Sequence, residues 1–151
     1  MTVHEPARSR EQRKQDVLTR LEKDEDVWVA TAGGPGEPFL VPLSFVQHGG
    51  ALLISTRRTT PTARNVSPRG RVRLSLGHTR DVVLIDGDAE AVEGPDLPRE
   101  AADAFAETLG WDPRDRAEWV YLRVTPRTVK AWREENELPD RLLMRNGTWL
   151  V

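Results

Sequence analysis

The chain has 151 residues, 38% hydrophobic and 30% charged, with 22 Lys and Arg against 24 Asp and Glu, a net charge of -2, and no cysteine. A single domain of this length buries a full core. The near-neutral balance argues against general nucleic-acid binding, and the missing thiols exclude disulfides, thiolate nucleophiles and cysteine-ligated metals. No apolar run approaches the roughly 20 residues of a membrane helix, so no membrane partner is expected. The polar N-terminus lacks the apolar segment of a secretory signal, which makes the cytoplasm the expected location.

Residues 1–8 are expected to be disordered. Ser9 and Gln12 have the spacing of a capping box, and Val17, Leu18 and Leu21 form one narrow apolar stripe. Residues 9–23 are therefore predicted to be a helix lying on the surface of something larger. Val27–Ala32 reads as a strand, Gly33–Gly36 as a turn, and Phe39–Val46 as a second strand. Pro42 inside it cannot donate to a ladder, so an edge, a bulge or a ligand is expected there. A turn at Gln47–Gly50 leads into a third strand, Ala51–Ser55, giving a hairpin meander.

Thr56, Arg57, Arg58, Thr59 and Thr60 follow as a cationic, hydroxyl-rich turn, and a short helix opens near Pro61 with Arg64 and Asn65 on it. From Arg57 to Arg73 there are six arginines and no acid. A local basic patch on a near-neutral protein suits a small anionic ligand better than a polyanion. Strand-end hydroxyls, forked guanidinium donors and a helix start are what a phosphate monoester needs. Ser55, Thr56, Arg57, Arg58, Thr60, Pro61, Thr62, Arg64 and Asn65 are the candidate residues. Each has a plainer reading. Adjacent arginines point in different directions, so one is idle; Ser55 and Thr56 can satisfy local backbone; Asn65 can hold the loop.

Arg71–Gly77 and Val82–Val92 are the next strands, joined by His78-Thr79-Arg80-Asp81, with Gly87 marking a bend or bulge. His78 and Arg80 are candidate substrate contacts, against the alternative of a hairpin whose Asp81 bonds its own turn. A helix runs from Pro98 and Arg99 to Gly110 with Ala102, Phe105, Ala106 and Leu109 at helical spacing. Trp119–Val129 is a last long strand interrupted by Pro126. The tail, 130–151, carries Trp132, Arg133, a short polar helix and a terminal strand, Thr148–Val151. Six or more hairpin-linked strands with three helices describe a mainly β protein, a small closed or half-open β-barrel with peripheral helices, in a single domain over 1–151. Three histidines and no cysteine give no metal site. No Gly-x-Ser-x-Gly elbow is present, and no catalytic residue is assigned.

This order of elements resembles the pyridoxamine 5′-phosphate oxidase-like split barrel, a superfamily that includes flavin and deazaflavin (F420) oxidoreductases. The resemblance covers roughly Asp26 to Val129 and rests on VWVATAGGPGEPFLVPLSF, on LLISTRRTTPTARNVSPRGRVRLSL and on the closing Trp132-Arg133 pair. It implies a homodimer with two cofactor sites between subunits, FMN or F420 as cofactor, and hydride transfer to a small unsaturated or quinone-like substrate. The phosphate is then expected on Ser55, Thr56, Arg57 and the Pro61 helix, and the ring on strand backbone at Val41, Pro42, Leu43 and Ser44. The partner's tail, with Trp132 and Arg133, completes the pocket. The sequence departs from the family pattern at Thr62, where many members carry a phosphate-binding Lys; a lost charged hydrogen bond is worth roughly 1.5–3 kcal/mol unless Arg58 or Arg64 substitutes. A haem- or flavin-storing barrel and a cofactor-free dimer are the alternatives.

Overall fold

A computed structural model describes residues 5–151. Helix α1 (Arg10–Lys23) begins where Ser9 Oγ accepts the Gln12 N–H at 3.1 Å, and it buries one stripe, Arg13, Val17 and Leu21. Strands β1 (Asp26–Ala32), β2 (Pro38–His48) and β3 (Ala51–Arg57) form the expected meander. Helix α2 (Pro61–Val66), β4 (Arg69–Leu76), β5 (Val82–Val92), α3 (Arg99–Leu109) and β6 (Trp119–Trp132) follow, and β7 (Leu142–Arg145) and β8 (Thr148–Trp149) extend the sheet. The order is β3-β2-β1-β4-β5-β6-β7-β8, and a further antiparallel pairing of β3 with β6 closes the first six strands into a barrel. No helix among the described residues is long and apolar enough to cross a membrane.

Alternation sets which side chains fill the barrel. Val27 and Val29 on β1, Val72, Leu74 and Leu76 on β4, and Val83 and Ile85 on β5 point in, while the residues between them point out. β3 is apolar from Ala51 to Ile54 because both of its faces are covered there. Leu52 and Ile54 enter the barrel core, whereas Leu53 joins a second core with Val46, Val92, Tyr121 and the Ala101, Ala102 and Phe105 face of α3.

Helix α2 is a plug: it packs against all six barrel strands, and Thr62, Ala63 and Val66 turn into the interior.

Several boundaries differ from expectation. Residues 1–4 of the segment expected to be disordered lie outside the described residues. Arg8, at the other end of that segment, is instead fixed, because its guanidinium and N–H both reach Glu137. β2 runs through His48, leaving Gly49 and Gly50, at φ 58° and 79°, as the two-residue hairpin loop. β6 extends to Trp132, so that residue belongs to the sheet rather than to a free tail. The short polar helix is a 3₁₀ turn at Glu135–Glu137, and β7 was not foreseen. The bulge at Asp86/Gly87 is present. A Cβ on Gly87 would lie 2.6 Å from Val124 Cγ1 and 2.9 Å from the Thr125 carbonyl, which explains the glycine.

Candidate functional site

β2 and β3 stay together only over Phe45–His48. The remainder of β2, Pro38–Ser44, pairs with β1 alone, and Ser55, Thr56 and Arg57 of β3 pair only with Tyr121, Val120 and Trp119 of β6. The two strands therefore diverge, and the first half of β2 has one unpaired edge. Pro42, with no N–H to leave unsatisfied, is suited to such an edge. Val41, Pro42, Leu43 and Ser44 border this gap on one side, with Ser55, Thr56 and the turn to α2 on the other. Val41 and Leu43 turn toward the core and Pro42 and Ser44 toward solvent; Ser44 Oγ donates to Asp26 Oδ1 at 2.9 Å.

The corner after β3 is built largely from its own hydrogen bonds. Thr60 caps α2: its Oγ1 accepts the Ala63 N–H at 3.2 Å, donates to the Arg57 carbonyl at 2.9 Å, and lies 3.3 Å from Thr56 Oγ1. Pro61 is the first helical residue, where a missing N–H is harmless. Ser55 Oγ donates to the Val120 carbonyl at 3.1 Å, and Asn65 Nδ2 donates to Thr31 Oγ1 at 3.0 Å. Thr62 is buried, and its hydroxyl finds no partner among the described residues.

The two adjacent arginines separate. Arg58 donates from Nε to the Ala117 carbonyl at 2.8 Å and from both Nη atoms to the Glu93 carboxylate at 2.8 Å. That fork holds the Glu93 carboxyl below its usual range. Arg57 lies over the Trp119 ring at 5.0 Å and pairs with Glu118 at 3.3 Å, both side chains being more than half exposed. Arg64 is exposed and has no ion pair among the described residues.

The other candidates lie at the far end of the barrel. β4 starts against α2, where Gly70 approaches Val66, and ends before His78. There Arg80 binds Glu134 at 2.8 and 3.0 Å, and Arg133 reaches Asp81 at 3.4 Å and Asp16 at 3.8 Å. Trp132 stands opposite Val82 with the Arg141 guanidinium 5.9 Å above its ring. His78 is exposed, in the left-handed region at φ 83°. Within one chain, Arg80 and Arg133 are held by acids beyond the end of β4, whereas Asn65 and Val66 of α2 lie against its start.

An apolar plate was not singled out from the sequence. On the outer face of β1 and β2, Trp28 stands opposite Pro42 and Ala30 opposite Leu40, with Trp28 45% and Leu40 59% exposed. The signal was present in the alternation Val27-Trp28-Val29, which puts a large aromatic on the outside. The plate borders a cleft of about 480 Å³ lined by Ala30, Ala32, Arg71, Arg73 and Asp86.

Comparison with known proteins agrees with this architecture. Curated proteins give no match. Among solved structures, an F420 reductase is 21% identical over 74% of this chain and 93% of its own, with a TM-score of 0.57. HutZ, the haem storage protein of Vibrio cholerae, is 15% identical over 75% and 89%, TM-score 0.60. General stress protein 26 of Bacillus anthracis is 15% identical over 81% and 95%, TM-score 0.61. At these identities the likeness is one of fold. The family model for pyridoxamine 5′-phosphate oxidase matches residues 14–133. That match spans most of the sequence and includes every barrel strand, and the chain belongs to the pyridoxamine 5′-phosphate oxidase family.

Proposed function

We propose that the protein is a flavin-type oxidoreductase that binds FMN or F420 between two copies of the chain and passes hydride to a small unsaturated or quinone-like acceptor. The observation that carries this reading is the divergence of β2 from β3, which sets the free edge of Pro38–Ser44 beside the Arg57–Arg64 corner. A planar ring with an anionic tail has complementary chemistry: backbone hydrogen-bonding groups along the edge, and cations at the end. The bound cofactor supplies the hydride-carrying atom, while the chain supplies position and electrostatics. Arg57, whose exposed pair with Glu118 is easily exchanged, and Arg64, with no ion pair among the described residues, are the residues to hold the tail. Arg58 is committed to Glu93, and Thr62 is turned inward, so neither takes the place of a family Lys.

A second copy of the chain is part of the proposal. Trp28 and Leu40 form an apolar plate that a partner would cover, and the partner's tail, with Trp132 and Arg133, would complete the pocket. The F420 reductase among the structural neighbours supports the cofactor class.

Parallel titrations with FMN and F420 test the reading, run on wild type and on Arg57→Ala and Arg64→Ala. Micromolar binding of one cofactor, weakened about tenfold by either substitution, is expected. Unchanged affinity in both variants overturns the assigned corner. Haem binding with a Soret band, and neither FMN nor F420 bound, replaces the reading with haem storage, the role named for the Vibrio cholerae neighbour.

A further inference from the structure

Arg69 and Arg71 project from the same face of β4, about 7 Å apart along the strand. Each stands directly across from an acid of β5: Arg69 opposite Glu90 and Arg71 opposite Asp88. Neither acid is free to answer it. Glu90 is taken from the other side by Arg123 at 2.6 Å, and Asp88 by Arg127 at 2.7 Å. Arg69 and Arg71 have no ion pair among the described residues. The six side chains line a cleft of about 460 Å³ in which four guanidiniums face two carboxylates.

The bulge in β6 builds this arrangement. Asp86 pairs with Thr128 and Gly87 with Pro126, so Arg127 is the extra residue between them, and it swings over the cleft to Asp88. Gly70, between the two unpaired arginines, lets β4 lie against α2: a Cβ there would meet the Asn65 carbonyl at 3.0 Å and Val66 Cα at 3.1 Å. Two cations held at a fixed spacing on a strand, inside a groove of the same sign, focus a field that a single small anion does not fill.

We infer that the β4–β5–β6 groove is a binding site for a linear molecule carrying two or more anionic groups about 7 Å apart, seated on Arg69 and Arg71. The shared chemistry is that of an oligocarboxylate or a short polyphosphate. None of these residues belongs to the Arg57–Arg64 corner, so this site stands or falls separately from the cofactor reading.

Calorimetric titration of the full chain with triglutamate and with tripolyphosphate, against inorganic phosphate as a single-anion control, tests the inference. At least one of the two linear anions should bind about tenfold tighter than inorganic phosphate and weaken steeply with salt. Binding of triglutamate alone assigns a carboxylate ligand, and binding of tripolyphosphate alone a phosphate one. The double variant Arg69→Gln, Arg71→Gln should lose about tenfold or more in affinity while melting as wild type does. Asp88→Asn, which releases Arg127 into the groove, should tighten binding about threefold. FMN affinity, which involves a single phosphate, should be unmoved by all of these changes. Linear anions that bind no better than inorganic phosphate, or a double variant that binds as well as wild type, overturn the proposal.

Discussion

The guanidinium of Arg8 grips the carboxylate of Glu137 as a fork, Nε to Oε2 at 2.9 Å and Nη2 to Oε1 at 2.7 Å, across 129 positions of sequence. The Arg8 N–H adds a third bond at 2.8 Å and the Arg133 N–H a fourth, also at 2.8 Å. Asp16 accepts from the same guanidinium at 2.9 Å. One buried carboxylate thus ties the segment before α1, the end of β6 and the 3₁₀ turn into one unit.

Removing that carboxylate leaves Arg8 short of its main partner in a poorly solvated place. Glu137→Gln should cost about 3 kcal/mol, as expected for breaking a buried pair from one side. The pH dependence has a definite direction. Burial alone would raise the Glu137 carboxyl, but Arg8 and the two N–H donors outweigh it and hold it at about 2, below the ordinary 4.5. The stabilisation is therefore complete above pH 4.5 and is lost as the pH falls toward 2. Melting temperature measured across that interval should drop more steeply in wild type than in Glu137→Gln.

Tyr121 carries a buried hydroxyl with no partner among the described residues. Burial, helped by the Asp112 charge, pushes it up to about 12. Tyr121→Phe keeps the edge-on contact with Phe105 at 5.5 Å and removes only the unmet polar atom. Stability in urea should hold or rise by about 0.5 kcal/mol. A loss greater than about 1 kcal/mol would mean that the hydroxyl has an acceptor after all.

Two glycines make a matched pair of tests. A Cβ on Gly94 would overlap the Arg114 carbonyl, and the obstacle is backbone that cannot swing aside. Gly94→Ala should cost about 2–3 kcal/mol. Gly34 has nothing within 4 Å of its would-be Cβ, and Gly34→Ala should be neutral or stabilising by about 0.5 kcal/mol through the unfolded chain. Thermal unfolding of the two variants side by side measures the contrast.

Arg57→Ala should fold as wild type does. Its contacts are an exposed ion pair, worth at most about 1 kcal/mol, and a solvent-facing stack on Trp119 of similar size. A melting temperature within about 4 °C of wild type is expected. A larger fall would show that the stack on Trp119 supports the Trp111–Phe105 side of the second core.

Strands β1 and β4 were readable because they alternate, and Val27-Trp28-Val29 or Val72-Arg73-Leu74 announces which side faces in. β7 was not, since LLMR is four residues long and owes its conformation to pairing with β6 across a bulge. Thr60 and Pro61 announced α2, but nothing local says that its six residues plug a barrel. The basic run was the hardest to interpret. Its members look equivalent in sequence, yet Arg57, Arg58 and Arg73 meet acids 61, 35 and 13 positions away, while Arg64, Arg69 and Arg71 meet none among the described residues. Which cations stay available is decided by distant carboxylates, not by the run itself.

The β3–β6 seam joins residues about 70 positions apart, Leu52 facing Val124 among them. A growing polypeptide emerging from the ribosome can assemble the first hairpins early. The outer rim of β3 must nevertheless wait for the final third of the chain before its ladder is satisfied. Such distant pairing slows refolding relative to a helical bundle of equal length, and it leaves this rim as the place where incomplete chains would stick to one another.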